Sequence, residues 1–179
     1  MPSPLADRVV SHRIPEETVR QQVLSIHRDV LAHSIYLKEP NFKSIHPHDL
    51  EFLFSAYDSR FFDGLCRAAL NGSKIGFRLA PRMTRTGGAT TRFRAKTGEA
   101  RYEIAIASGI LFDSFRGDAR QVSACGIECR NRLEALQRIF EHEMIHLAEQ
   151  LCWGRVVARQ HVFRRSPGAS FCTAPARIR

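Results

Sequence analysis

The sequence predicts an α+β fold, on three observations. Apolar residues recur at three- and four-residue steps in stretches 16–37, 49–68 and 131–152; the period changes to strict alternation between residues 74 and 107; and Pro and Gly punctuate the boundaries. A chain of 179 residues, 44% of them hydrophobic, fits one domain with a real core.

Residues 16–37 start after Pro15 with Glu16 and Glu17, and Val19, Val23, Ile26, Val30 and Leu31 fall on one helical face until Glu39-Pro40-Asn41 breaks the pattern. His27 and His33 read there as surface or core-edge residues. A second helix begins near Asp49, carries Leu50, Leu53, Phe54, Tyr57, Phe61, Leu65 and Ala68 as one core stripe, and stops at Asn71-Gly72. His46 and His48, either side of Pro47, read as capping or solvent-exposed. KIGFRLA, TTRFRA and RYEIAIA then alternate, separated by Pro81, Gly87-Gly88 and Thr97-Gly98, and predict a small antiparallel sheet. Within it, Arg92-Phe93-Arg94 reads as an edge strand with solvated arginines in preference to a nucleic-acid contact. A short apolar helix at 110–115 and a polar connection precede the longest helical pattern, 131–152, marked by Leu133, Leu136, Phe140, Leu147 and Leu151.

Composition narrows the class further. The formal net charge is +9, carried by 23 Arg against 4 Lys, and favours phosphate backbones or other acidic surfaces as partners. After Glu149 no acidic residue follows, whereas Arg155, Arg159, Arg164, Arg165, Arg177 and Arg179 do, which predicts a basic tail. No apolar run has the form of a signal peptide or the length of a bilayer span, so the expected location is cytoplasmic, with no membrane partner. Five cysteines, Cys66, Cys125, Cys129, Cys152 and Cys172, fit a reducing compartment and buried thiols. The pair Cys125 and Cys129 lacks the second pair that a four-cysteine zinc site needs.

The segment with chemistry in it is His142-Glu143-Met144-Ile145-His146. On a helix, histidines four apart project from one face a turn apart, so both imidazoles can reach one Zn²⁺. Glu143, directly after the first histidine, is placed to act as general base toward water activated by that metal, and to return the proton to a leaving amine. A catalytic zinc also needs a third ligand and an open position. His161, downstream of the helix, is one candidate. Glu149 is the other, although its place three residues after His146 suits contact with the imidazole better than contact with the metal.

Several segments in order resemble the SprT-like metallopeptidase family, whose eukaryotic branch is Spartan, a protease of DNA-protein crosslinks. The carriers are LFSAYDSRFFDGL, FRLAPRMTRTGGATT, YEIAIASGILF and LEALQRIFEHEMIHLAEQL, within about residues 49–153. The resemblance implies a minimal zincin-like domain with a small antiparallel sheet packed on the motif helix, zinc bound by His142 and His146, and Glu143 as base. It also implies a third histidine ahead of a phenylalanine, for which His161 with Phe163 is the nearest counterpart, with Val162 where the family has glycine. The expected organisation is an N-terminal helical segment (1–45), a SprT-like domain (46–163) and a basic irregular tail (164–179). The tail's sudden loss of apolar pattern also raises an altered reading frame, which the coding DNA tests. The expected activity is zinc-dependent peptidase action on protein substrates, DNA-associated ones among them; the alternative is a zinc-bearing module, without peptidase activity, that binds nucleic acid or protein.

Overall fold

The computed structural model describes residues 3–11, 13–96, 98–116 and 122–154. Among them the elements run α1 (Pro4–Ser11), α2 (Glu16–His33), α3 (Pro47–Phe61), α4 (Leu65–Ala69), β1 (Lys74–Leu79), β2 (Gly88–Arg94), β3 (Ala100–Ile106), α5 (Ser108–Ser114), β4 (Val122–Ala124), β5 (Ile127–Cys129) and α6 (Arg132–Trp153). Helix and sheet are mixed as predicted. No helix among these residues is long and apolar enough to cross a membrane. The proposed tail, residues 164–179, lies outside the described residues.

Helix α6 is the axis of the molecule: 15 of its 22 residues are buried, which leaves it no solvent face of the usual amphipathic width. Its start is fixed reciprocally, because the Asn131 side chain accepts from the Glu134 amide at 2.9 Å and Glu134 Oε2 accepts from the Arg130 amide at 2.8 Å. Gly154 closes it in the left-handed conformation at φ 69. The sheet packs on it through β2 and β3, and helices α1 to α5 all touch it. Leu5, Val9, Ile26 and Val30 from the first two helices belong to the same core as Leu53, Phe54, Phe140 and Met144. The described part of the first 45 residues is therefore packed into the body that carries the motif helix.

Three local expectations need correction. Helix α2 ends at His33 rather than at 37, because Ser34 Oγ accepts from the amides of Tyr36 at 3.0 Å and Leu37 at 2.8 Å, an alternative to continuing the helix. The predicted helix from Asp49 through Ala68 is two helices. Asp63 and Gly64, at φ 55 and φ 77, turn the chain so that Phe61 and Phe62 are both buried. Buried Asp58 then accepts from the amides of Cys66 at 2.9 Å and Arg67 at 3.0 Å, satisfying the start of α4. His46 does cap α3, accepting from the His48 amide at 3.2 Å, while Asp49 Oδ2 accepts from the His46 amide at 2.7 Å.

The third correction concerns the sheet, which is mixed rather than antiparallel. Its order is β1-β3-β2: β2 and β3 form an antiparallel hairpin, and β1 pairs with β3 in parallel, Leu79 opposite Ile106. After β1 the chain passes the far side of the place β3 will take, lays down β2 as an edge and returns through the middle. Alternation fixes which face each residue occupies but says nothing about which strand is the neighbour. The polar connection before α6 contains a further hairpin, β4-β5, turned at Cys125 and Gly126 with φ of 56 and 78, both positive as such a two-residue turn needs. Cys125 and Cys129 are buried within it, in keeping with structural thiols.

Candidate metal centre

His142 and His146 sit one turn apart on α6 with their ring planes at 83° and their centroids 4.4 Å apart. Their Nε2 atoms converge to 2.9 Å. His142 is buried at 8% exposure, while the His146 side chain keeps 29%. Glu149 Oε2 lies 3.4 Å from His146 Nδ1. A carboxylate there favours the tautomer with the proton on Nδ1, which turns the Nε2 lone pair toward His142. Burial also lowers the His146 pKa below its ordinary value, favouring the neutral ring that metal binding requires.

Glu143 points toward the sheet and is 2% exposed. Thr90 Oγ1, on β2, donates toward Glu143 Oε2 at 2.7 Å and lies 3.0 Å from the Glu143 carbonyl oxygen. Burial pushes the Glu143 carboxyl up to about 7, against the pull of the Thr90 hydrogen bonds. Strand β2 comes unusually close here. A Cβ on Gly88 would stand 2.8 Å from both Cγ and Oε1 of Glu143 and 2.9 Å from Ile139 Cγ2. Further along the same face of β2, Gln150 Nε2 donates to the Thr90 carbonyl at 3.1 Å and Arg92 donates to the Gly154 carbonyl at 3.0 Å. Gly88, Thr90 and Arg92, two residues apart in a strand, thus form one face fitted to α6. Arg92 is consequently not the solvated arginine that the edge-strand reading expected.

On the opposite side of α6 a second polar group is built into the core. Glu141, 1% exposed, accepts from Tyr57 Oη at 2.8 Å and from Arg138 at 3.0 Å. Gln137 donates to Tyr57 Oη at 3.2 Å and to the Val23 carbonyl at 3.1 Å, and His27 Nδ1 lies 2.8 Å from Gln137 Oε1. His27 is thus a core-edge residue. Burial raises the Glu141 pKa, while Arg138 and Tyr57 pull it down.

The structure brings His142, His146 and Glu149 together and sets the Glu143 side chain against β2. His161 lies outside the described residues, and among those described no three His, Cys, Asp or Glu side chains form a metal-holding group. Gly88 and Thr90 escaped the sequence reading. The glycine pair was legible only as a break between strands, and a threonine hydroxyl has no spacing rule that ties it to a helix 53 positions away. The residues present fit a zinc ion: two imidazoles with convergent Nε2 atoms, one backed by a carboxylate, form the nitrogen pair that zinc takes. Comparison with protein-family models, with curated proteins and with solved structures found no match.

Proposed function

We propose that the chain is a SprT-like, zinc-dependent metalloendopeptidase that hydrolyses peptide bonds of protein substrates, with DNA-associated proteins among them. The observation that carries this reading is the convergence of His142 Nε2 and His146 Nε2 to 2.9 Å on a helix whose intervening Glu143 is held by Thr90. The packing of α6 on β2 and β3 supports a minimal zincin-like arrangement, and the net charge of +9 supports work near a polyanion. Free thiols at Cys66, Cys129 and Cys152 support a reducing, cytoplasmic setting.

In this reading His142 and His146 hold the zinc, with His161 as the candidate third ligand, since the Glu149 carboxylate lies on the Nδ1 side of His146. When bound, zinc supplies a Lewis acid for the scissile carbonyl and lowers the pKa of water at its open position. The Glu143 carboxylate takes the proton released as water attacks and delivers it to the leaving nitrogen. Thr90 holds one oxygen of that carboxylate by a hydrogen bond from β2. Glu149 steadies the His146 ring through Nδ1.

The test measures zinc content and proteolysis side by side on the full chain. Wild-type protein is expected to hold one zinc and to cleave an unfolded protein or a protein crosslinked to DNA. Glu143→Gln should keep the zinc and lose cleavage by at least about a hundredfold, the scale of general-base catalysis, whereas His142→Ala should lose both. Full activity in Glu143→Gln would overturn the mechanism. Stoichiometric zinc with no cleavage by the wild type would leave the chain a zinc-bearing binding module.

A further inference from the structure

We propose that the cleft between α2, β5 and the first turns of α6 binds a small zwitterion with an aliphatic group, of the size of a free aliphatic amino acid or a dipeptide. The cleft has a volume of about 340 Å³, and neither His142 nor His146 lines it. One wall is apolar: Val19 and Val23 are buried at 6% and 9%, and Leu24 beside them is 55% exposed. The His27 ring lines the same space, and its hydrogen bonding is fixed from below. Gln137, 1% exposed, donates through Nε2 to the Val23 carbonyl at 3.1 Å. A carbonyl only accepts, so the Gln137 atom 2.8 Å from His27 Nδ1 is its acceptor Oε1. The proton of the neutral imidazole therefore sits on Nδ1, and Nε2 is left as an acceptor for an N–H donor.

Charge selects the occupant. Glu128 and Glu134 line the cleft together with Arg130 and Arg138, so both signs meet in one space. Arg138 gives one amino group to Glu141 Oε2 at 3.0 Å and keeps 23% of its side chain exposed. Glu134 accepts at the start of α6 from the Arg130 amide and the Asn131 side chain, yet its negative charge remains. A simple anion in this cleft would face the carboxylates, and a simple cation would face the guanidiniums. A molecule with an ammonium and a carboxylate a few bonds apart answers both, through charge-assisted hydrogen bonds. The ammonium falls to His27 Nε2 and Glu128, the carboxylate to Arg130 and Arg138, and the aliphatic group to Val19, Val23 and Leu24. The volume stands at the small end of ligand pockets, which suits one or two residues with free termini and excludes a folded partner.

Isothermal titration calorimetry of the full chain with leucine and with leucyl-leucine tests this, and the tighter of the two distinguishes a free amino acid from a dipeptide. At least one should bind saturably, with a dissociation constant of about 1 mM or lower. Leucinamide, which lacks the carboxylate, and N-acetyl-leucine, which lacks the ammonium, should each bind at least about tenfold more weakly. Glu128→Lys with Arg130→Glu exchanges two exposed charges without altering the net charge, and should weaken binding at least about tenfold. Leu24→Asp, at an exposed position that the fold does not need buried, should do the same. The matched control, Arg28→Glu with Glu51→Lys on exposed positions outside the cleft, should bind as the wild type does. The proposal is overturned if neither zwitterion binds saturably, if N-acetyl-leucinamide, with neither charge, binds as tightly as they do, or if the charge exchange leaves affinity unchanged. No residue of the cleft belongs to the histidine pair, so failure of the peptidase reading leaves the outcome unaffected.

Discussion

Gly88 has no side chain at the one place where Glu143 needs room. A methyl group there would meet Glu143 Cγ and Oε1 at 2.8 Å, well inside contact distance, and Ile139 at 2.9 Å. Gly88→Ala should therefore destabilise the fold by about 1–3 kcal/mol, the usual cost of overpacking, and lower cleavage by more than that loss explains. Urea denaturation and turnover at full folding separate the two; unchanged values would show that β2 can step back. The contrast between Gly88 and His142 explains what a sequence reveals at this scale. Two ligands on one helix are four residues apart and are dictated by local geometry, so the pair was legible. The partners of Glu143 come from another element, and their pairing is set only when β2 lands on α6.

Elements obey the same division. Helix α6 was legible nearly to the residue because its cap is local: Asn131, Arg130 and Glu134 satisfy one another within five positions. Asn131→Ala should cost about 1 kcal/mol by chemical denaturation without changing zinc content. The break between α3 and α4 was not legible, because the Leu65 and Ala68 stripe continues the helical period of Tyr57 and Phe61 straight through Asp63-Gly64. What overrides it is the burial of two successive phenylalanines together with the carboxylate of Asp58. Mixed strand order was equally hidden, since parallel and antiparallel placement of β1 expose the same alternate side chains. The hairpin of β4 and β5, three residues each, falls below the length at which alternation carries a signal.

At the scale of the whole molecule, the buried thiols link stability to pH. Burial pushes the Cys129 thiol from 9.0 up to about 11, and raises Cys66 further in the same direction. The folded chain thus holds these protons more tightly than the unfolded chain does. Their contribution is fully present below the ordinary thiol value of 9.0, and that of Cys129 is lost as pH rises through about 11. The urea midpoint should fall over that interval, and Cys129→Ala should show a shallower fall; an identical slope in the variant would remove Cys129 as the cause.

Helix α6 is gripped from two sides, by Thr90 and Gln150 contacts to β2 and by the Tyr57–Glu141–Arg138 group in the opposite wall. Sliding it by one residue would rotate every side chain by about 100° and strand both sets of polar groups at once. The helix that bears the histidines therefore has no cheap way to open on its own. Its backbone amides between residues 139 and 147 should exchange with deuterium only through global unfolding, with the same urea dependence as the whole chain. Faster exchange there, at a rate insensitive to urea, would mean that the helix loosens while the rest of the protein stays folded.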